Sequence, residues 1–101
     1  MLRLVFTRSA QDDLRQARHW YEEHRPGLGL QFEAAVETVL ERAMRMPHSF
    51  PSALDDFRRA AVRRFPYDVY YRITERQLVV VLLFHTARDP ESAIARLQPP
   101  H

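Results

Sequence analysis

The sequence predicts an α+β domain in which an antiparallel sheet carries a helical hairpin on one face. Two stretches in the first half have helical periodicity, and a short turn that holds both glycines of the chain joins them. Three β-rich stretches follow in the second half, separated by short turns. The most apolar stretch, residues 78–84, is an uninterrupted run that suits a strand buried on both faces. We expect this strand to form the centre of the sheet.

The first part of the chain predicts a strand followed by a helix. Residues 2–6 alternate loosely between apolar and polar side chains and predict a short strand. Ser9 resembles an N-cap residue, and acidic residues follow it closely, as is favourable at the start of a helix. Apolar residues then recur at helical spacing: Ala10, Leu14, Ala17 and Tyr21. The helix is therefore expected to run from about Ser9 to His24.

A turn at residues 25–29 separates this helix from a second one. The glycines of the turn tolerate the positive φ angle that helix ends favour. Pro47 marks the end of the second helix. The apolar face of the second helix consists of Phe32, Val36, Val39, Leu40 and Ala43. Two helices joined by so short a turn should pack as antiparallel neighbours.

The rest of the chain predicts a loop and three strands. Residues 47–57 contain two prolines and two adjacent acids and predict a surface loop. The strands are expected at about residues 59–65, 69–74 and 78–86. Pro90 should begin a final short helix or coil, and residues 99–101 a frayed tail. The order is β-α-α-β-β-β, so the strands form an antiparallel meander, the helices cover one face, and the other face is open or partly open.

Length and composition limit the class of protein. We expect a single domain over residues 1–101, which is long enough to bury a core. Hydrophobic residues make up 46% of the chain, and the absence of cysteine excludes disulfides and cysteine-based zinc sites. No apolar run approaches the ~20 residues of a membrane span. The N-terminus is too short and too quickly polar for a signal peptide. These features predict a cytoplasmic protein with no membrane association.

Positive charge is concentrated in the second half of the chain. The net charge is +2, and all 15 basic residues are arginine. Residues 51–101 hold eight arginines and six acids, and residues 58–64 alone hold four arginines. This focused excess predicts a basic surface on the sheet.

Arginines and aromatic residues of the predicted strands form the candidate binding surface. Neighbouring side chains on a strand point to opposite faces, so one of Tyr70 and Tyr71 should face the helices and the other the open face. The alternation of side chains along a strand does not by itself show which face each arginine occupies, because Pro66 can shift that alternation. His85 ends the last strand and could transfer protons or hydrogen-bond at the rim of the sheet. The candidate target- or partner-binding residues are Arg59, Arg63, Arg64, Tyr67, Tyr70, Arg72, His85 and Arg88. The alternative is a solvated, non-specific basic face.

No metal or cofactor is predicted. Three glutamates form a stripe on the second helix, but no histidine shares that face at ligand spacing. A solvated face, or pairing with arginines of the first helix, explains the stripe better. The residues concerned are Glu33, Glu37, Glu41, Arg15 and Arg18. The large aromatic residues of the helices are expected in the core or between the helices, and these are Trp20, Tyr21 and Phe32.

Five short segments resemble the ParE/RelE toxins of type II toxin–antitoxin systems. They are Ala10-x-x-Asp13-Leu14-x-x-Ala17-x-x-Trp20-Tyr21-Glu22, Pro26-Gly27-Leu28-Gly29-x-x-Phe32, Pro47-x-x-Phe50-Pro51, Arg64-Phe65-Pro66-Tyr67-x-Val69-x-Tyr71-Arg72 and Val81-x-x-x-His85-x-x-Arg88-Asp89-Pro90. Each segment alone is a weak signal, but their order and spacing together are specific and cover nearly the whole chain. The β-α-α-β-β-β order of that family agrees with the order predicted from the residues.

The resemblance implies a small toxin that is neutralised by the acidic or amphipathic segment of a cognate antitoxin. ParE-like members poison DNA gyrase without nuclease activity, whereas RelE-like members cut messenger RNA on the ribosome. RelE-like cleavage often uses lysines and a late tyrosine, and this chain has no lysine and no tyrosine after Tyr71. We therefore expect a gyrase inhibitor without catalytic residues. The alternatives are a metal-independent ribonuclease using His85, Arg72 and Arg88, and an inactive interaction module.

Overall fold

The computed structural model describes residues 2–98, which form one five-stranded sheet and three helices. The strands are β1 (Arg3–Phe6), β2 (Ser52–Leu54), β3 (Phe57–Ala61), β4 (Tyr67–Ile73) and β5 (Gln77–His85). The helices are α1 (Arg8–His24), α2 (Leu28–Arg45) and α3 (Pro90–Leu97). In the sheet the order is β1-β5-β4-β3-β2. The predicted α+β class, the helical hairpin and the meander of the last three predicted strands are confirmed.

The sheet is mixed rather than wholly antiparallel. Strands β2 to β5 pair antiparallel, whereas β1 pairs parallel with β5. Because β1 occupies one edge of β5, the middle strand of the sheet is β4. The prediction that residues 78–84 form the central strand is therefore wrong, although β5 does lie between two neighbours. The sequence of β1 carries no signal of its pairing direction, which depends on where α1 and α2 return the chain.

The predicted loop at residues 47–57 contains β2, a strand of three residues that sequence periodicity could not show. The following strand begins at Phe57 and ends at Ala61, so Arg63 and Arg64 lie in the β3–β4 turn and not on a strand as predicted. Arg64 takes a positive φ angle of 73°, and the Val62 N–H donates to the carbonyl of Tyr67 across the turn. This turn chemistry ends the strand four residues earlier than expected.

Local capping sets the ends of the helical hairpin. Thr7, and not Ser9 as predicted, is the N-cap of α1, and its hydroxyl accepts from the Ala10 N–H at 3.1 Å. Helix α2 starts at a left-handed Gly27, which has no side chain to cap it. The Glu22 carboxylate of α1 accepts from the N–H groups of Gly27 and Gly29 instead, at 2.9 and 3.0 Å. These hydrogen bonds lower the pKa of Glu22.

Two hydrophobic clusters lie on opposite faces of the sheet. The larger cluster packs α1 and α2 against the sheet and includes the whole predicted apolar face of α2, namely Phe32, Val36, Val39, Leu40 and Ala43. The smaller cluster lies beneath α3 and consists of Tyr70, Leu82, Phe84, Ala93 and Leu97. The face expected to be open or partly open is partly covered by α3. Asp89 caps α3 by accepting from the Glu91 N–H at 3.1 Å, in agreement with the predicted helix start at Pro90.

An irregularity in β5 changes which face its side chains occupy. Tyr70 pairs with Leu82 and Tyr71 with Val80, so Val81 is an extra residue on β5. Val80 and Leu83 consequently both face the helical hairpin, while Leu82 faces α3. The last part of the strand is therefore buried on both faces, as its apolar run predicts.

The carboxylate of Asp13 connects α1, β5 and α3. Strand β1 ends opposite Val80, so the following residues of β5 have no strand on that side. Asp13 accepts from the Leu83 N–H at 3.1 Å. Arg96 of α3 donates to both carboxylate oxygens of Asp13, each at 3.1 Å, and to the Ser9 hydroxyl at 2.6 Å. We call this arrangement the Asp13 clamp.

Replacing Asp13 with alanine should destabilise the fold by about 1–3 kcal/mol, because the half-buried Leu83 N–H then loses its acceptor. Asp13→Asn is the matched control, since it keeps an acceptor oxygen while removing the charge that pairs with Arg96. We expect its loss to be smaller, as for a partly exposed ion pair. Urea unfolding of the three proteins measures the difference, and equal losses for the two variants would contradict the role of the hydrogen bond.

Candidate functional site

The structure places the predicted surface residues in three locations. Arg59, Tyr70 and Arg72 lie on the face that α3 partly covers. Arg63 and Arg64 lie in the exposed β3–β4 turn. Tyr67, His85 and Arg88 meet at the end of the sheet where β4 begins and β5 ends. One continuous basic surface, as the sequence predicts, is therefore not formed.

On the α3 face, the predicted residues differ in how accessible they are. Tyr70 is only 6% exposed and packs within the cluster beneath α3, so its ring belongs to the core and is largely inaccessible to a partner. The guanidinium of Arg72 lies 5.8 Å from the centre of the Phe57 ring. Arg59 is exposed and lies opposite Tyr70 in the sheet. Burial raises the pKa of the neighbouring Asp68 carboxyl, and Arg59 opposes part of that rise.

The three residues that were predicted to act if the protein is a ribonuclease do not lie close together. Tyr67 pairs directly with His85, and Arg72 lies five residues further along β4. At about 3.3 Å per residue, Arg72 is about 16 Å along the strand from the position of His85. The two side chains also lie on opposite faces, because Arg72 faces α3 and His85 faces α1. Only His85 and Arg88 remain close to one another.

His85 and Arg88 line a cleft between α1 and the end of β5, which we call the Trp20 cleft. It has a volume of about 540 Å³ and is lined mainly by Asp13, Trp20, Tyr21, Tyr67, His85, Arg88 and Arg96. Trp20 was predicted to lie in the core or between the helices, but it is 54% exposed and its ring stacks on His24 at 3.6 Å between centroids. Tyr67, His85 and Arg88 of this cleft are among the predicted candidates, whereas sequence reasoning missed the cleft residues of α1, which follow a helical spacing beside the apolar stripe.

Hydrogen bonds and burial define the polar groups of the Trp20 cleft. The Ala87 N–H donates to Nδ1 of His85 at 3.1 Å, so the neutral ring carries its hydrogen on Nε2. Burial raises the pKa of Tyr67, the Asp13 carboxylate raises it further, and Arg88 opposes the rise. Burial also raises the pKa of Tyr21, with a contribution from Tyr67. Within residues 2–98, neither phenol hydroxyl has a hydrogen-bond partner.

A second concave surface, the β1 groove, lies on the other side of α1. It has a volume of about 590 Å³ and is lined by apolar residues of β1, α1 and α2: Leu4, Phe6, Leu14, Val36, Leu40 and Met44. Leu4 is 43% exposed at the free edge of the sheet. The glutamate stripe of α2 forms its rim, and Glu33 pairs with Arg18 at 3.7 Å, one of the predicted contacts. Arg15 pairs with Asp12 instead of a stripe residue.

Two further findings concern the described part of the chain. Across residues 2–98, no three side chains of the histidine, aspartate or glutamate type gather as metal ligands would. Over the same residues, no helix is long and apolar enough to cross a membrane.

Comparisons with known proteins agree on one class. Residues 4–90 match the family described as ParE toxin of the type II toxin–antitoxin system, parDE. Toxin ParE2 of Mycobacterium tuberculosis is 25% identical over 96 residues, which cover 94% of this chain and 91% of that protein. Fold and family match together define the toxin of a type II toxin–antitoxin system. Within that class, the chain belongs to the ParE toxin family, as the resemblance of its segments indicated.

Solved structures of this class share the fold. A chain of the chromosomal ParDE system from P. aeruginosa superposes with a TM-score of 0.61 and 19% identity, covering 84% of this chain and 96% of that one. The isolated E. coli RelE toxin superposes with a TM-score of 0.65 and 16% identity, covering 97% of this chain and 100% of that one. An E. coli RelE mutant in complex with an antitoxin RelBc peptide superposes with a TM-score of 0.64 and 14% identity, covering 99% of this chain and 98% of that one. At these identities the likeness establishes the fold alone.

The raised pKa of Asp68 predicts a stabilising substitution. A carboxyl whose pKa is raised on folding contributes stability at low pH, which is lost as the pH rises through the folded-state pKa. Asp68→Asn should therefore raise the melting temperature at pH 7 more than it does near pH 3, roughly one unit below the ordinary pKa of aspartate. Thermal melts of both proteins at the two pH values test this. Destabilisation at pH 7 would show that the attraction to Arg59 exceeds the effect of burial.

Proposed function

We propose that this ParE-family toxin arrests growth by inhibiting DNA gyrase. The observation that carries the proposal is the separation of the residues that a ribonuclease would need. Arg72 lies about 16 Å along β4 from His85 and on the other face of the sheet. His85 would transfer the proton and Arg72 would stabilise the charge on the phosphate, so both side chains would have to reach one phosphodiester, and these two positions are too far apart for that. The match to ParE toxins supports the same assignment.

The α3 face is also unfavourable for RNA. Asp68 places a carboxylate beside Arg59, the exposed arginine of β3 on that face. A negative group there repels phosphates and takes up part of the positive charge that would attract them. Tyr70, which could have stacked on a base, is buried. The face therefore offers little to a nucleic acid strand.

The β1 groove is the surface best suited to the antitoxin. Its lining is apolar, as the apolar side of an amphipathic segment requires. The N–H groups of Arg3 and Thr7 donate to the carbonyls of Arg76 and Val80, so those of Leu4 and Phe6 point away from the sheet. An antitoxin segment could add a strand to this free edge and lay a helix in the groove. This position differs from our sequence-based prediction that the antitoxin covers the open face of the sheet.

Purified protein should inhibit supercoiling of relaxed plasmid by DNA gyrase and leave relaxation by a type I topoisomerase unchanged. In a translation extract with ribosomes, messenger RNA should stay intact at the same protein concentration. Cleavage of messenger RNA with normal supercoiling would overturn the proposal in favour of the ribonuclease alternative. Expression without antitoxin tests the third alternative, since an inactive module would not arrest growth.

Leu4→Asp should weaken binding of the antitoxin encoded beside this chain by at least about tenfold, because it places a charge in the apolar groove. Leu4 is 43% exposed, so the variant should fold. Leu30→Asp is the matched control, since Leu30 is an exposed leucine of α2 outside the groove. Co-purification of the two chains measures retention. Equal retention by Leu4→Asp and the control would place the antitoxin elsewhere.

A further inference from the structure

The Trp20 cleft has a net positive character once its ion pairs are counted. Both oxygens of the Asp13 carboxylate are held by Arg96, and one also accepts from the Leu83 N–H. Arg88 forms no ion pair with a carboxylate of residues 2–98, and its guanidinium rests over the Phe84 ring at 4.7 Å. An arginine fixed on an aromatic ring keeps its N–H donors available to a ligand.

Neighbouring residues add to this positive character. The Thr86 N–H donates to the Pro66 carbonyl at 2.8 Å, which joins the β3–β4 turn to the loop after β5. This turn brings Arg63 and Arg64, both exposed, to the same end of the sheet as Arg88. Charge complementarity therefore favours an anionic ligand at this end of the molecule.

Several donors inside the cleft have no protein acceptor. Nε2 of His85 carries the hydrogen of the neutral ring, because Nδ1 accepts from the Ala87 N–H. The hydroxyls of Tyr67 and Tyr21 lack a partner within residues 2–98, although Tyr21 is only 8% exposed. Because no buried side-chain oxygen of residues 2–98 lacks a partner, these hydroxyls are open to solvent and therefore accessible to a bound acceptor. A carboxylate presents such acceptors with the charge that Arg88 matches.

The exposed ring of Trp20 provides the apolar wall of the cleft. Its stacking on His24 holds the ring in place without covering it, since more than half of the residue stays exposed. Exposed tryptophans beside an arginine are the residue types that dominate binding energy at protein interfaces. The cleft therefore combines an aromatic anchor, a cation and unpaired donors within one cavity.

We propose that the Trp20 cleft binds an acidic segment of a partner protein, with a carboxylate side chain between Arg88 and His85 and an apolar group against Trp20. A protein segment fits better than a nucleic acid strand. Arg88 is the single arginine of the cleft without an ion pair among the described residues, so the cleft offers one free cation, which suits a single carboxylate better than a run of phosphates. The aromatic rings also do not form a continuous stacking platform, because Tyr67 and His85 meet edge to face at 75°.

This site is separate from the β1 groove, because no residue lines both. Helix α1 contributes to each, with Leu14 facing the groove and Trp20 facing the cleft. An occupant of the groove therefore does not compete for the residues that line the cleft. The inference also does not depend on gyrase being the target of the toxin.

Trp20 is the only tryptophan of the chain, so its fluorescence reports directly on the cleft. Titration of the purified toxin with a hexaglutamate peptide at low salt should change the emission saturably. Arg88→Ala should weaken this binding about tenfold, because arginines at interface centres rank among the most sensitive residues. Arg76→Ala is the matched control and should bind as the parent does, since Arg76 is an exposed arginine in the turn at the other end of the sheet.

Three results would overturn the inference. They are the absence of a saturable change with hexaglutamate, equal binding by Arg88→Ala and the parent, and an equal or larger response to hexathymidylate, which would assign the cleft to nucleic acid. Unchanged melting of Arg88→Ala, an exposed position, excludes unfolding as the cause of weaker binding. The titration contains no gyrase, so its failure is distinguishable from a failure of the proposed function.

Discussion

The Asp13 carboxylate provides a hydrogen-bond acceptor that the strand topology leaves missing. Strand β1 has four residues and covers only part of β5, so the Leu83 N–H emerges beyond its end without a strand to accept from it. A buried donor without a partner is costly, and Asp13 supplies the acceptor from α1. Because the same carboxylate holds Arg96, the position of α3 depends on it as well. The clamp also forms one wall of the Trp20 cleft, so the fold and the candidate site share a single interaction.

Helices and long strands could be predicted because their apolar residues repeat with a clear period. The buried face of α2 matches its predicted residues throughout, and β5 extends its apolar run by one residue at either end. The three-residue β2 has no period to detect, and its pairing with β3 arises only after the chain has folded. The N-cap of α1 was equally hard to predict, since Thr7 and Ser9 are both good N-cap residues. Only the backbone conformation shows that Thr7 is the cap.

The candidate site was harder to predict than the fold because it depends on which faces and ends of strands meet. Arg59 and Arg72 share a face with Tyr70, but His85 lies on the other face and at the far end. The extra residue Val81 shifts the alternation of side chains along β5, so the face of each later residue cannot be inferred from its position in the sequence. Trp20 was misplaced for a different reason. A large aromatic residue beside an apolar stripe usually packs inward, whereas Trp20 is exposed and stacks on His24 of the same helix.

Helix α1 separates two surfaces whose chemistry differs. On one side, Leu14 borders an apolar groove with a free strand edge, which is suited to hydrophobic burial and backbone pairing. On the other side, Trp20 borders a cleft with a cation and unpaired donors, which is suited to charge recognition. Apolar burial gives affinity, whereas charge complementarity mainly gives specificity and association rate. In our two proposals the antitoxin occupies the groove and an acidic partner segment occupies the cleft, so one small domain would present a separate surface to each. Any influence of one surface on the other would have to pass through α1, where the Asp13 clamp fixes the helix to β5 and α3.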